Sequence, residues 1–154
     1  MNASALERRF RYTAGGILAI TGLAKAFSAF GSARALDMPD PLMGIPFRHL
    51  MLLVGLAEMF IAFLCLLTDK RGISLMAVAW LATGFLVYRC GLWLIDWHKP
   101  CGCLGDLTAA LHLSPQVADN LMKTVLAYLL IGSYWNLGIR WLVARRSSTV
   151  DGLA

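Results

Sequence analysis

Apolar residues are gathered into four long runs along the chain, with short polar segments between them. The runs cover about residues 12–36, 50–68, 73–97 and 117–137. A helix needs about 20 mostly apolar residues to cross the roughly 30 Å of hydrocarbon in a bilayer, and each run is close to that length. No run alternates polar and apolar positions as the strands of a membrane barrel do. The pattern therefore predicts an all-α bundle of four transmembrane helices in a single domain, residues 1–154.

Basic residues at the ends of the runs predict how this bundle is oriented. They cluster before the first run, between the second and third, and after the fourth: Arg8, Arg9, Arg11, Lys70, Arg71, Arg140, Arg145 and Arg146. Cytoplasmic loops of membrane proteins carry an excess of Lys and Arg. We therefore expect both termini in the cytoplasm, with the loops at 37–48 and 98–116 on the opposite side of the membrane.

Composition supports a membrane protein and excludes several other classes. Of the 154 residues, 58% are apolar and 15% are charged, whereas soluble proteins average about half apolar and about a quarter charged. This apolar excess excludes a disordered chain, and four cysteines over this length exclude a disulfide-dense miniprotein. The net charge of +5 arises from basic residues that lie mostly between the runs and are not collected on one face. We therefore expect membrane lipid as a partner and no nucleic acid.

The first two helices are predicted to pack closely and to share a pair of ionisable groups. Small residues recur every three or four positions in the first run, at Gly15, Ala19, Gly22, Ala26, Ala29 and Ala33, a pattern typical of a packing seam between membrane helices. Lys25 and Glu58 lie near the middle of consecutive, antiparallel runs, and a lone charge at that depth is costly. We expect them to pair or to share a hydrogen-bond network. Such a pair either fixes helix register or forms a proton or ligand site.

A second polar group is expected near the outer ends of the helices. Arg89 precedes Asp96 by one heptad in the third run, and Arg48 and His49 lie at the start of the second. Arg48, His49 and Arg89 are therefore candidates for contacts to a cofactor in a polar vestibule. The alternative for Arg89 is that its side chain reaches to the membrane interface.

The segment after the third run contains the residues with the most distinctive chemistry. Cys101 and Cys103 are separated by one glycine, so a disulfide between them would be strained, and strained, exposed disulfides are typically labile or catalytic. The neighbouring His98 and Lys99 favour the reactive thiolate. Alternatively, the pair forms a static disulfide, each cysteine bridges elsewhere, or His98, Cys101, Cys103 and His112 bind zinc or copper. Cys65, deep in the second run, is predicted to be a buried small side chain.

Three motifs together resemble a known family. Gly22-Leu23-Ala24-Lys25, Gly55-Leu56-Ala57-Glu58 and Cys101-Gly102-Cys103-Leu104-Gly105 are similar to the MauE/DoxX group of four-helix membrane proteins, and most similar to its methylamine-utilisation branch. The resemblance extends over about residues 15–137. It implies a redox-associated protein of the bacterial inner membrane, with the Cys-x-Cys loop on the periplasmic side. It also implies a periplasmic thioredoxin-like partner and a role in maturing periplasmic proteins such as the disulfide-rich subunit of methylamine dehydrogenase.

These observations favour a membrane component for thiol–disulfide exchange. Cys101 and Cys103 would be the redox pair, and Lys25 with Glu58, or a bound quinone, would handle protons or electrons on the membrane side. The quinone is inferred by analogy with other four-helix membrane disulfide oxidases. Two alternatives remain open: a scaffold subunit without catalytic activity, and a small membrane protein that handles a metal or solute.

Overall fold

The computed structural model describes residues 3–31, 34–67, 72–97 and 114–151. In these ranges the chain forms four α-helices: α1 (Ala3–Ala29), α2 (Phe47–Leu67), α3 (Ile73–Leu94) and α4 (Pro115–Asp151). A 3₁₀ turn, Arg34–Asp37, follows α1. Over the same ranges the only β pairing is an isolated bridge between Pro39 and Pro46, so the predicted all-α class is confirmed.

Two of these helices, α2 and α3, are long and apolar enough to cross a membrane, judged by length and composition within the described residues. Their outward faces carry large apolar side chains, including Phe60, which is 63% exposed, and Trp80, which is 77% exposed. The other two helices are less apolar because each includes a charged end, with Arg8, Arg9 and Arg11 in α1 and Arg140 and Arg145 in α4. That α1 and α4 also cross the membrane stays a prediction.

Glycines bring α1 and α2 into direct backbone contact. A Cβ atom on Gly22 would lie 2.9 Å from the carbonyl oxygen of Gly55, and one on Gly55 would lie 3.0 Å from the carbonyl oxygen of Gly22. A Cβ on Gly15 would lie 3.0 Å from the Cβ of Cys65. The predicted seam of small residues is thus confirmed at Gly15 and Gly22, while Ala33 lies outside the described residues. Small residues permit this approach where lipid supplies no hydrophobic drive for helix association.

The helices differ from the apolar runs mainly at their ends. The first run was expected to be helical over 12–36, but α1 begins at Ala3 and ends at Ala29. Its last turn tightens through hydrogen bonds from Phe30 N to Phe27 O and from Gly31 N to Ser28 O. Polar residues can extend a helix beyond its apolar part, as α4 does by continuing to Asp151. Hydropathy therefore identifies the apolar part of a helix without locating its ends.

The third and fourth helices show how local sequence signals end and begin a helix. The third run was expected to continue to Trp97, yet α3 stops at Leu94 because Asp96 adopts a left-handed backbone conformation (φ 56°). Pro115 is the first residue of α4, where the absence of an N–H in proline is tolerated. The hydroxyl of Ser114 accepts a hydrogen bond from the Val117 amide at 3.4 Å.

Ion pairs join the helices at the two ends of the bundle. At the end that contains the chain termini, here called the terminal end, Arg140 Nη1 lies 3.0 Å from Glu7 Oε1 and links α4 to α1. At the opposite end, here called the loop end, Arg89 Nη2 lies 2.9 Å from Asp119 Oδ1 and links α3 to α4. The antiparallel order of the four helices places residues 34–46 at this loop end.

Candidate functional site

Lys25 and Glu58 form an ion pair between α1 and α2. The ammonium Nζ of Lys25 donates hydrogen bonds to both carboxylate oxygens of Glu58, at 2.7 and 2.8 Å. The two side chains are 6% and 1% exposed. The predicted contact between them is therefore confirmed. Because both oxygens of the carboxylate accept from the ammonium, each charge has a buried partner, which a charge in a low-dielectric interior requires.

The residues that position this pair occupy equivalent places in two similar motifs. Each charged residue follows, by three positions, one of the glycines at which the backbones touch. A Cβ on Gly22 would lie 3.1 Å from Glu58 Cβ, and one on Gly55 would lie 3.3 Å from Lys25 Cβ. Residues three apart share one face of a helix, so the glycine and the charge both face the partner helix. The leucine that follows each glycine faces outward.

An apolar cavity of about 280 Å³, here called the α2/α3 groove, lies beside this pair. Lys25 is part of its wall, and its Nζ lies 5.7 Å from the centroid of the Phe85 ring. Leu53 and Trp80, which are 64% and 77% exposed, also line the groove, so it opens sideways at the apolar exterior of the bundle. The other lining residues on α2 and α3 are Phe47, Leu50, Met51, Val54, Ala57, Leu81, Gly84 and Tyr88.

The loop between α1 and α2 closes the groove at the loop end of the bundle. Asp40 is only 3% exposed, and its Oδ1 accepts hydrogen bonds from the amides of Leu42 and Met43 at 3.0 and 2.9 Å. Its other oxygen accepts a short hydrogen bond from the Tyr88 hydroxyl. Met43 is part of the groove wall. The Asp40–Tyr88 contact thus fixes the loop on α3, and this loop forms the roof of the groove.

Sequence reasoning missed the groove and the role of Asp40. Asp40 lies in the predicted outer loop 37–48, and Asp40-Pro41, followed by Gly44 at φ 68°, is a recognisable turn. The turn does not indicate that the Asp40 carboxylate accepts a hydrogen bond from Tyr88. Phe85 and Trp80 look in the sequence like any other apolar residues of a membrane helix. Gly84 is a local signal in this part of α3, because a glycine inside an apolar helix leaves space beside it; in the structure a Cβ there would meet nothing within 4 Å.

The structure gives the two arginines of the predicted vestibule separate partners. Arg48 Nη1 donates to the carbonyl of Ala29 at 2.9 Å and so caps α1, while its Nε lies 3.2 Å from Asp37. His49 is exposed. Neither arginine nor His49 lines the α2/α3 groove, and a role for Arg48, His49 and Arg89 in cofactor binding stays a prediction.

The expectation that Arg89 and Asp96 share a helix face is wrong. That expectation assumed a continuous helix through both positions, but α3 ends before Asp96. The ion pair of Arg89 forms instead with Asp119 of α4. A heptad within one helix gives no information about a residue that another helix supplies.

The cysteine motif lies outside the described residues, as do His98 and His112, so its redox and metal interpretations stay predictions. Within the described ranges, no group of three or more His, Cys, Asp or Glu could hold a metal ion. The segment 98–113 connects α3 to α4, whose adjoining ends are joined by the Arg89–Asp119 ion pair. Cys65 is 0% exposed, which confirms its predicted burial.

Comparison with known proteins agrees with the family resemblance. The sequence model of the family described as methylamine utilisation protein MauE matches residues 3–135. No curated protein and no solved structure matches the chain significantly. The matched range includes Lys25, Glu58, the residues of the groove and both cysteines of the Cys-x-Cys motif. Because the match covers most of its length, the chain belongs to the methylamine utilisation protein MauE family.

Proposed function

We propose that this chain is a membrane thiol–disulfide oxidoreductase component in which Cys101 and Cys103 form the working redox pair. Membership of the MauE family makes it a MauE-like membrane protein of methylamine utilisation. The proposal adds the chemistry: the cysteine pair supplies disulfides for maturing periplasmic proteins, and a periplasmic thioredoxin-like protein is its immediate partner.

The proposed topology has four spans in the bacterial inner membrane, with both termini cytoplasmic. The charge distribution supports it, because Arg8, Arg9 and Arg140 lie at the terminal end of the bundle, where Glu7 and Arg140 join α1 to α4. At the loop end, Arg89 forms an ion pair with Asp119. The Cys-x-Cys segment connects the two helices that meet there, so this topology predicts that it faces the oxidising periplasm, where disulfides persist.

The spacing of the two cysteines carries the proposal. A disulfide between Cys101 and Cys103 closes a very small ring, and strain raises the reduction potential of a disulfide. A thiolate of the partner attacks one sulfur and forms a mixed disulfide. A second thiolate of the partner then attacks the partner's own sulfur in this mixed disulfide and releases the cysteine of the chain as a thiolate. The partner leaves with a new disulfide, and Cys101 and Cys103 are left as two thiols that hold two electrons and two protons for a membrane acceptor.

The test is a gel-shift assay with maleimide-polyethylene glycol on native membranes. Cys65→Ala/Cys90→Ala leaves Cys101 and Cys103 as the only thiols, and adding Cys101→Ser gives the matched control. We expect the pair to be labelled only after mild reductant, whereas the control is labelled without it.

Two results would contradict the proposal. Free labelling of both cysteines in untreated membranes would exclude a disulfide, and labelling that appears only after a chelator would indicate a metal site. A scaffold role would follow if Cys101→Ser/Cys103→Ser left substrate oxidation unchanged while a seam substitution such as Gly22→Leu abolished it.

A further inference from the structure

We propose that the α2/α3 groove binds the ring of a membrane quinone, which enters sideways from the bilayer and accepts a hydrogen bond from Lys25. The groove is reached through the apolar exterior between Leu53 and Trp80. A ligand that enters there must be soluble in the membrane. Its tail can remain among the lipid chains while its head occupies the cavity.

The size of the groove matches a single substituted ring. Its volume of about 280 Å³ is just below the roughly 300–1,000 Å³ typical of small-molecule sites. The wall includes the aromatic rings of Phe47, Trp80, Phe85 and Tyr88. Aromatic rings pack favourably against a planar ring in offset or edge-to-face arrangements. The loop fixed by Asp40 and Tyr88 closes the groove at the loop end of the bundle. The cavity therefore favours a compact, flat head over a long chain.

Charge selects a neutral ligand over an anion. Lys25 is the only charged residue in the groove wall within the described part of the chain, and Glu58 already neutralises it through two hydrogen bonds. An ammonium carries three N–H donors, so one donor remains for a ligand. A carboxylate or phosphate would bring a second negative charge next to Glu58 in a low-dielectric site. A ring carbonyl accepts the third hydrogen bond without that repulsion.

Binding of a quinone in the groove does not depend on the cysteines. Only its role as an electron acceptor rests on the proposed function. In that role the two thiols of Cys101 and Cys103 are oxidised to one disulfide. The quinone takes up the two electrons and two protons and becomes a hydroquinone.

The binding test uses the full chain in detergent and decylubiquinone as the probe, with quenching of tryptophan fluorescence as the readout. Gly84→Phe fills the groove from a position where a Cβ meets nothing within 4 Å. Gly138→Phe is the matched control, because Gly138 is a helical glycine of α4 with equally open surroundings. We expect the dissociation constant to rise at least tenfold in Gly84→Phe and to stay at the wild-type value in Gly138→Phe.

A second variant tests the hydrogen bond. Lys25→Met/Glu58→Met removes the donor and its counter-ion together and leaves no buried lone charge. We expect binding of decylubiquinone to weaken by about threefold to tenfold, as for the loss of one hydrogen bond. Decane, which has the tail without the ring or any hydrogen-bond acceptor, should bind equally to this variant and to the wild type.

The outcomes separate this site from the cysteine chemistry. Cys101→Ser/Cys103→Ser should bind decylubiquinone with the wild-type dissociation constant, even if the thiol–disulfide function itself fails its own test. The proposal would be overturned by equal quenching of Gly84→Phe and Gly138→Phe. It would equally be overturned if oleate displaced the quinone at lower concentrations than decylubiquinone itself binds, since the groove would then be a site for anionic lipid.

Discussion

Removing one member of the Lys25–Glu58 pair should destabilise the protein more than removing both. Lys25→Met leaves the Glu58 carboxyl without the ammonium that now lies 2.7 and 2.8 Å from its oxygens. Glu58→Met leaves the ammonium equally isolated. Lys25→Met/Glu58→Met replaces both groups by apolar side chains of similar length, so no charge remains to be buried.

The burial of the pair sets the expected magnitude. Both side chains are almost fully enclosed, at 6% and 1% exposure. Breaking such a pair by removing one partner costs about 3–5 kcal/mol, whereas replacing the whole pair by apolar residues is often neutral or stabilising. Each single variant should therefore lose about 3–5 kcal/mol of unfolding free energy. The double variant should be at least about 2 kcal/mol more stable than either single variant.

The assay is a double-mutant cycle on the purified chain, with the free energy of unfolding measured in mixed detergent micelles. Leu23→Met/Leu56→Met is the matched control because these leucines belong to the same two motifs and are 43% and 64% exposed. It should change the unfolding free energy by less than about 0.5 kcal/mol, as surface substitutions usually do. Additive effects of the two single changes, or single variants as stable as the control, would refute the reasoning.

Two further changes test the glycine contact and the roof of the groove. Gly22→Ala should cost about 1–3 kcal/mol of unfolding free energy, as overpacking does, because its Cβ would lie 2.9 Å from a backbone oxygen of α2. The control Gly16→Ala, whose Cβ would lie in open space, should leave the unfolding free energy unchanged or raise it. Tyr88→Phe removes the hydroxyl that donates to the buried Asp40, so hydrogen exchange should accelerate at the two loop amides bound to that carboxylate. The matched control is Tyr134→Phe, because Tyr134 is 54% exposed and its hydroxyl contacts Thr83 of α3. This control should leave the exchange rates of those two amides unchanged. Equal acceleration in both variants would contradict the assigned contact.

The contact between Lys25 and Glu58 was predictable because the predicted membrane setting restricts what two charges can do. Consecutive helices joined by a short loop are antiparallel, and residues near the middle of each lie at similar depth. A lone charge at that depth is costly, so each of the two residues is expected to pair with the other. The seam at Gly15 and Gly22 was predictable for a related reason, since small residues repeated on one face allow backbones to approach.

The partner of Arg89 shows where such reasoning fails. A heptad relates Arg89 to Asp96 only while the helix continues, and the left-handed backbone at Asp96 lies just beyond the end of α3. Its observed partner, Asp119, is 30 residues away in the chain. Which residue of another helix comes within reach depends on how the helices pack, and side-chain spacing in one segment does not contain that information.

The sequence alone determined the all-α class, the approximate places of the four helices and the family, because each depends on local composition or on a short motif. It also determined the buried pair, because its two residues lie near the middle of consecutive antiparallel helices. Tertiary structure decided the α2/α3 groove and its roof. Lys25 comes from α1, Met43 from the loop, Ala57 from α2 and Phe85 from α3, and no spacing along the chain relates these four residues. A cavity is a property of the space between packed elements, so it exists only once the helices and the loop hold their relative positions.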